Sequence, residues 1–119
     1  GEHTRCVYES LALNYRRVLS QLEEITGSNY NRVHIIGGGS KNRVLNQMTA
    51  DSTDRRVVAG PSEAASIGNG VVQYVSLGVL EDIWSARKTL AESEEVEVFY
   101  PVTPEPWDEA YERFKQLTI

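Results

Sequence analysis

Residues 33–51 read VHIIGGGSKNRVLNQMTAD, and this stretch decides the fold. It begins with a short apolar and β-branched run, residues 33–36, which is typical of a buried strand. The run leads directly into Gly37, Gly38 and Gly39, and the apolar residues that follow recur at helical spacing. A strand, a glycine turn and a helix in this order predict a chain of the α/β class.

Two further segments predict strands of the same sheet. Residues 56–59, RVVA, follow a turn predicted at residues 52–54. Residues 96–100, VEVFY, alternate between apolar and polar side chains before Pro101 ends the run. With a first strand at residues 32–36, these segments predict a small mixed sheet flanked by helices.

The remaining apolar patterns predict helices. A stripe at steps of three and four predicts a long amphipathic helix that ends near Gly27. Ser62 is a suitable N-cap for a helix that is apolar over most of its circumference, so that helix is expected in the core against the sheet. An amphipathic helix is predicted over residues 80–90, and a last one after Pro104.

Composition limits the classes of function. A chain of 119 residues with 40% hydrophobic residues predicts one domain, residues 1–119. The net charge of -5, with acids and bases interspersed, argues against a nucleic-acid partner. The chain has one cysteine, no targeting segment and no apolar run of about 20 residues that would span a membrane. It is expected to be a soluble, cytoplasmic protein with no membrane partner.

The glycine turn is the segment most able to bind a ligand. Glycines let a ligand approach the backbone at the start of a helix, where N–H groups lack partners, and phosphates favour such a place. The turn matches neither the Walker motif nor the dinucleotide fingerprint, and glycine turns are common without a ligand. From the residues alone, nucleotide or phosphate binding and a purely structural turn both remain open.

Polar residues after the glycines have two interpretations each. The carboxamide of Asn42 can bond a purine edge, or Asn42 can be an ordinary polar residue that opens a helix. Lys41 and Arg43 can contact phosphate, or can lie on a solvated helix face.

The remaining candidates for chemistry favour structural roles. Glu63 can orient a metal-bound water or a sugar hydroxyl, but it also suits the dipole of a helix N-terminus. Asp51 can bind a cation, although a place in a turn is favoured. His34 is expected to be a satisfied core histidine, and Cys6 to be buried or inert. From these residues structural roles are favoured, and no metal site is predicted within this chain.

Four blocks in order resemble the FGGY family of carbohydrate kinases. They are YESLALNYR at residues 8–16, HIIGGGS at 34–40, LNQMTAD at 45–51 and VVAGPSEA at 57–64. The resemblance implies part of an actin-like, ribonuclease-H-like ATPase lobe, in which the glycine turn faces ATP in a cleft between two lobes.

The resemblance also implies roles for individual residues. Gly37, Gly38 and Gly39 would lie along the phosphates or ribose of the nucleotide, and Asn42 beside the adenine. A second set would surround the pocket as scaffold: Gln47, Asp51 and Glu63. Gly68 would give close packing beneath the nucleotide site.

The activity implied is the phosphorylation of a ketose sugar with ATP and Mg²⁺. In this family the aspartate base and the sugar pocket lie N-terminal to the matching segment. No catalytic residue is therefore expected in this chain, and the chain alone is expected to be inactive. An exposed sheet edge and apolar surface predict self-association as a dimer or higher oligomer. Two alternatives remain: an FGGY kinase that acts on glycerol, xylulose or fuculose, and a non-catalytic, actin-like interaction module.

Overall fold

The computed structural model describes residues 1–93 and 96–117. Along the chain, the elements are α1 (Glu2–Thr26), β1 (Arg32–Ile35), a 3₁₀ turn (Gly38–Lys41), α2 (Arg43–Thr53), β2 (Arg56–Ala59), α3 (Ala64–Ser76), α4 (Ile83–Ser93), β3 (Glu97–Phe99) and α5 (Glu105–Leu117). The predicted α/β class is confirmed.

The three strands form one mixed sheet in the order β1-β2-β3. β1 and β2 run parallel, with Val33 opposite Val57, and β2 and β3 run antiparallel, with Val57 opposite Phe99. β2 has the predicted bounds, whereas β1 ends one residue earlier than predicted and β3 lacks one residue at each end. Because β1 and β2 are parallel, the glycine turn after β1 and the connection after β2 meet at one edge of the sheet.

The core joins one face of the sheet to α2. Ala50, Val57, Ala59 and Phe99 form its buried centre. The other face of α2 packs on α1, where Ala12 is buried. There the Ser52 hydroxyl donates a hydrogen bond to the carbonyl of Ala12 at 3.0 Å. A helix covered on two sides explains why α2 has more buried residues than any other described element.

The ends of two helices differ from expectation. Gly27 ends α1 in the left-handed region, at φ 64°, as the sequence predicts. The turn predicted at residues 52–54 is instead the last turn of α2, and only Asp54, at φ 51°, leaves the helix. Ser62 is not the N-cap of α3, because Glu63 occupies that position without a side-chain cap.

The prediction of a core position for α3 is wrong for this chain. None of its residues is buried, and its main contact is with α4. A cavity of about 630 Å³ separates α3 and α4 from the sheet. A Cβ at Gly68 would meet no atom within 4 Å, so the close packing implied for Gly68 is absent. Apolar periodicity shows that a helix face needs a partner, but it does not identify that partner.

Helix α4 begins later than its pattern predicts. The N–H of Leu80 bonds the carbonyl of Tyr74 at 3.2 Å, so Leu80 belongs to the turn that ends α3. The Asp82 carboxylate then accepts the N–H of Ser85 at 2.7 Å and starts α4.

His34, expected in the core, and Cys6, expected to be buried or inert, are both at the surface. His34 is exposed on β1, which is an edge strand of the described sheet. Cys6 is exposed on the first turns of α1. None of the described helices combines the length and the hydropathy needed to cross a bilayer.

Candidate functional site

The glycine turn is fastened to the neighbouring connection of the sheet. The N–H of Gly60 bonds the carbonyl of Ile35 at 2.8 Å, and the N–H of Gly37 bonds the carbonyl of Pro61 at 2.9 Å. These bonds continue the parallel pairing beyond the ends of β1 and β2. Gly37 has φ 77° and ψ -164°, a conformation available essentially to glycine alone.

The 3₁₀ turn leaves two backbone donors without partners. The N–H of Ser40 bonds the carbonyl of Gly37 at 3.0 Å, and the N–H of Asn42 bonds that of Gly39 at 3.1 Å. The N–H groups of Gly38 and Gly39 have no acceptor within the described residues. A Cβ on Gly38 would meet no atom within 4 Å, so the space beside it is open.

A cavity of about 470 Å³ lies beside this turn. Its lining residues are Ser40, Lys41, Arg43, Ala59, Gly60, Ser62, Val96 and Glu97. The cavity therefore lies at the carboxyl ends of the two parallel strands, which is where ligands bind in open α/β sheets.

Two cations border the cavity. Lys41 is exposed and has no ion pair in the part of the chain that the structure describes. Arg43 is paired, since its Nη2 lies 2.6 Å from Oε1 of Glu97. Lys41 is thus the cation more available to an incoming anion.

Asn42 opens α2, as one of its two interpretations predicts. Its Oδ1 accepts the N–H of Leu45 at 3.1 Å, which caps the helix. Its Nδ2 has no acceptor among the described residues. The carboxamide therefore retains a donor, and its contact with adenine stays a prediction.

Asn46 is a residue that the sequence analysis missed. Its side chain is fully buried on α2, one turn after Asn42, and its Nδ2 donates to the carbonyl of Ser40 at 2.8 Å. The signal in the sequence is a polar residue on the buried stripe of a helix that follows a glycine turn, which by itself does not reveal the partner.

Gln47 and Asp51 lie on the side of α2 that holds the loop after β3. Oδ1 of Asp51 accepts from the N–H of Val102 at 2.7 Å and from Nε2 of Gln47 at 3.0 Å. Gln47 also donates to the carbonyl of Tyr100 at 2.8 Å. Asp51 is therefore a buried helical residue rather than a turn residue, and neither side chain lines the cavity beside the glycine turn.

The carboxylates do not converge on that cavity. Glu63 is exposed, and the cavity is lined by its neighbour Ser62 instead. Within residues 1–93 and 96–117, no group of three His, Cys, Asp or Glu side chains is placed to hold a metal ion.

The profile of the FGGY family of carbohydrate kinases, C-terminal domain, matches residues 1–77. That match covers the glycine turn, both parallel strands and α3. The chain belongs to the FGGY family of carbohydrate kinases, and its fold is that of part of a ribonuclease-H-like lobe.

Several relatives with similar sequences are rhamnulokinases. A rhamnulokinase of Bacteroides thetaiotaomicron is 42% identical over 97% of this chain and 24% of the relative. Rhamnulokinases of Oceanobacillus iheyensis (41% identical, 88% of this chain, 22% of the relative) and Halalkalibacterium halodurans (44%, 81% and 21%) are similar as well. The chain spans between about a fifth and a quarter of the length of these relatives, as the shares of 21% to 24% show.

Proposed function

We propose that this chain supplies part of the ATP site of a sugar kinase that converts L-rhamnulose to L-rhamnulose 1-phosphate. The observation that carries the proposal is the pair of unpartnered N–H groups on Gly38 and Gly39. They lie at the carboxyl edge of a parallel strand pair, in a chain of the FGGY family. The sugar follows from the name that the relatives share.

The residues of the turn fit a nucleotide. Backbone N–H groups at the start of a helix bind phosphate oxygens, and the open space beside Gly38 gives a phosphate room to approach. Lys41 adds a positive charge to the neighbouring cavity, which Ser40 lines but Gly37, Gly38, Gly39 and Asn42 do not. In the proposal, Gly38 and Gly39 bind phosphate, Asn42 donates to the adenine through Nδ2, and Gly37 shapes the turn. ATP would supply the phosphoryl group.

Other requirements of the reaction are not assigned to this chain. Phosphoryl transfer needs a base for the acceptor hydroxyl and charge neutralisation by Mg²⁺. Among the described residues no carboxylate cluster is suited to the metal. The matched segment is 24% of the Bacteroides relative. We assign the base, the sugar pocket and the Mg²⁺ ligands to parts of a kinase outside residues 1–119, and expect no turnover from these residues alone.

The test replaces the matching segment of the Bacteroides rhamnulokinase with this chain and changes Gly38→Val. The backbone of Gly38 is outside the left-handed region and a Cβ there would meet no atom within 4 Å, so the position accepts an L side chain. We expect the KM for ATP to rise while the KM for L-rhamnulose and the melting temperature change little. Gly38→Ala should give a smaller rise, because its side chain occupies less of the same space.

An unchanged KM for ATP in the Gly38→Val chimera would overturn the nucleotide site. The glycine turn would then be a structural feature only. The sugar is tested in a full-length kinase that contains residues 1–119, because the sugar pocket of the chimera is that of the Bacteroides relative. A preference for glycerol, xylulose or fuculose over L-rhamnulose would leave the nucleotide site in place and correct the substrate.

The proposal includes self-association of the chain through α3 and α4. Exposed apolar side chains there include Tyr74 (54%) on α3, Leu77 (75%) at the C-cap of α3 and Trp84 (73%) on α4. This is an unusual apolar surface for a monomer. In this proposal a second copy of the chain packs against this surface. Sedimentation velocity should show a concentration-dependent dimer that Trp84→Glu converts to monomer. A monomer at all concentrations would contradict self-association without affecting the nucleotide site.

A further inference from the structure

Asn46 connects α2 to the glycine turn. It has no exposed surface, and its Nδ2 donates to the carbonyl of Ser40 at 2.8 Å. Ser40 is the residue that closes the turn, because both its N–H and its hydroxyl bond the carbonyl of Gly37. The side chain of Asn46 is therefore hydrogen-bonded to the residue that closes the turn.

The contact carries a cost that an apolar residue would avoid. Oδ1 of Asn46 is buried and has no hydrogen-bond partner among the described residues. A buried carbonyl oxygen without a donor destabilises the folded state, whereas an apolar side chain of similar size leaves no polar atom unpaired. The bond to Ser40 is the feature that distinguishes asparagine from such a residue at this position.

Loss of that bond would change the turn rather than the helix. The backbone N–H of Asn46 already bonds the carbonyl of Asn42 at 3.0 Å, so α2 keeps its own first-turn bond without the side chain. Ser40 would keep its hydrogen bonds to Gly37, but its carbonyl would lose the hydrogen bond from the side chain of Asn46 on α2. The N–H groups of Gly38 and Gly39 would then be held in place less firmly.

We infer that Asn46 is a positioning residue of the nucleotide site. It touches no ligand; it acts through the carbonyl of Ser40 to hold the turn in the form that leaves Gly38 and Gly39 unpaired. This inference rests on the proposed ATP site and adds to it a residue of the second helix that lines no part of the cavity.

The kinetic test uses the chimera described above with Asn46→Ala and Asn46→Asp. Aspartate has nearly the same shape but, when ionised, lacks the donor that Ser40 requires. We expect the KM for ATP to rise about two- to ten-fold in both variants, the range for one lost hydrogen bond, with the KM for L-rhamnulose little changed.

Ser52→Ala is the matched control. Ser52 is also fully buried on α2 and loses one hydrogen bond, but its acceptor is the carbonyl of Ala12 on α1. Ser52→Ala should lower the melting temperature without raising the KM for ATP.

A second measurement, amide hydrogen exchange in the 119-residue chain, observes the turn directly. In Asn46→Ala the N–H groups of Gly37, Ser40 and Asn42 should exchange faster than in the parent, while those in the middle of α1 should not. A variant that loses thermal stability as Ser52→Ala does, with turn exchange and the KM for ATP unchanged, would show a purely structural role and overturn the inference.

The two proposals fail in different ways. If Gly38→Val raises the KM for ATP and Asn46→Ala does not, only the role of Asn46 is overturned. If neither variant changes it, the nucleotide site itself is overturned, and the inference falls with it.

Discussion

The carbonyl oxygen of Gly37 accepts two hydrogen bonds from Ser40, one from the backbone N–H at 3.0 Å and one from the hydroxyl at 2.7 Å. The turn is thus closed by a residue after the glycines rather than by Gly38 or Gly39. The N–H groups of Gly38 and Gly39, which lie between Gly37 and Ser40, have no acceptor among the described residues.

The glycines of this turn should differ in their response to alanine. Gly37 is in a region open essentially to glycine alone, so Gly37→Ala should lower the free energy of unfolding by roughly 1–3 kcal/mol. Gly38 has no positive φ and no neighbour within 4 Å of a Cβ, so Gly38→Ala should change it little. Urea unfolding of both variants measures the difference, and equal losses would contradict the turn geometry.

Substitutions of Asn42 should separate capping from adenine binding. Asn42→Ala removes the cap on Leu45 and should cost about 1 kcal/mol of stability. Asn42→Asp keeps an oxygen to cap the helix but lacks the Nδ2 donor, so stability should be retained while the KM of the chimera for ATP rises. Chemical unfolding and steady-state kinetics provide the two measurements. If Asn42→Asp leaves both the stability and the KM for ATP unchanged, Asn42 is only a helix cap.

The ion pair between Arg43 and Glu97 should reduce the attraction of the cavity for phosphate. Glu97→Gln removes a negative charge from the cavity wall and releases Arg43, so the KM of the chimera for ATP should fall. Raising the ionic strength should remove the difference, because exposed charges are screened. The melting temperature should hardly move, since exposed ion pairs contribute about 0–1 kcal/mol. Glu112→Gln, which breaks an exposed pair on α5, is the control.

The first turn of helix α4 should become less stable in acid. The hydrogen bond from the N–H of Ser85 lowers the pKa of Asp82 below its ordinary value of 3.8. A lowered pKa in the folded state adds stability that is present above pH 3.8 and is lost as the pH falls through the folded-state pKa. The protection of the amides of residues 83–86 against hydrogen exchange, relative to their intrinsic rates at each pH, should fall over that interval. In Asp82→Asn, which still caps but does not titrate, a retained fall in protection would point to another group.

The sequence allowed the local elements of the candidate site to be predicted, and their contacts only in part. The strand at β1, the glycine turn and the helix after it were all predicted correctly, because each depends on neighbours in the chain. The cap formed by Asn42 was one of two open interpretations. The link from Asn46 to Ser40 was missed, because a buried polar side chain does not reveal its acceptor in sequence.

Contacts between residues far apart in the sequence were the least predictable. Asp51 was expected in a turn, yet it accepts a hydrogen bond from Val102, far along the chain. His34 was expected inside because its strand is apolar, but it is exposed and lines the cavity that separates the sheet from α3 and α4. Both errors concern which other segment lies beside a residue, and local patterns do not encode that information.

The sequence by itself determined the α/β class, the order of the elements and the FGGY resemblance, because these reside in short periodic patterns and in blocks of adjacent residues. Only the tertiary structure decided which groups of the turn are free. That depends on bonds between distant segments, such as Gly37 to Pro61, which form when parallel strands bring two connections to one edge of the sheet. It also decided that α3 lies apart from the sheet, since an apolar face is satisfied by whichever surface packing brings to it.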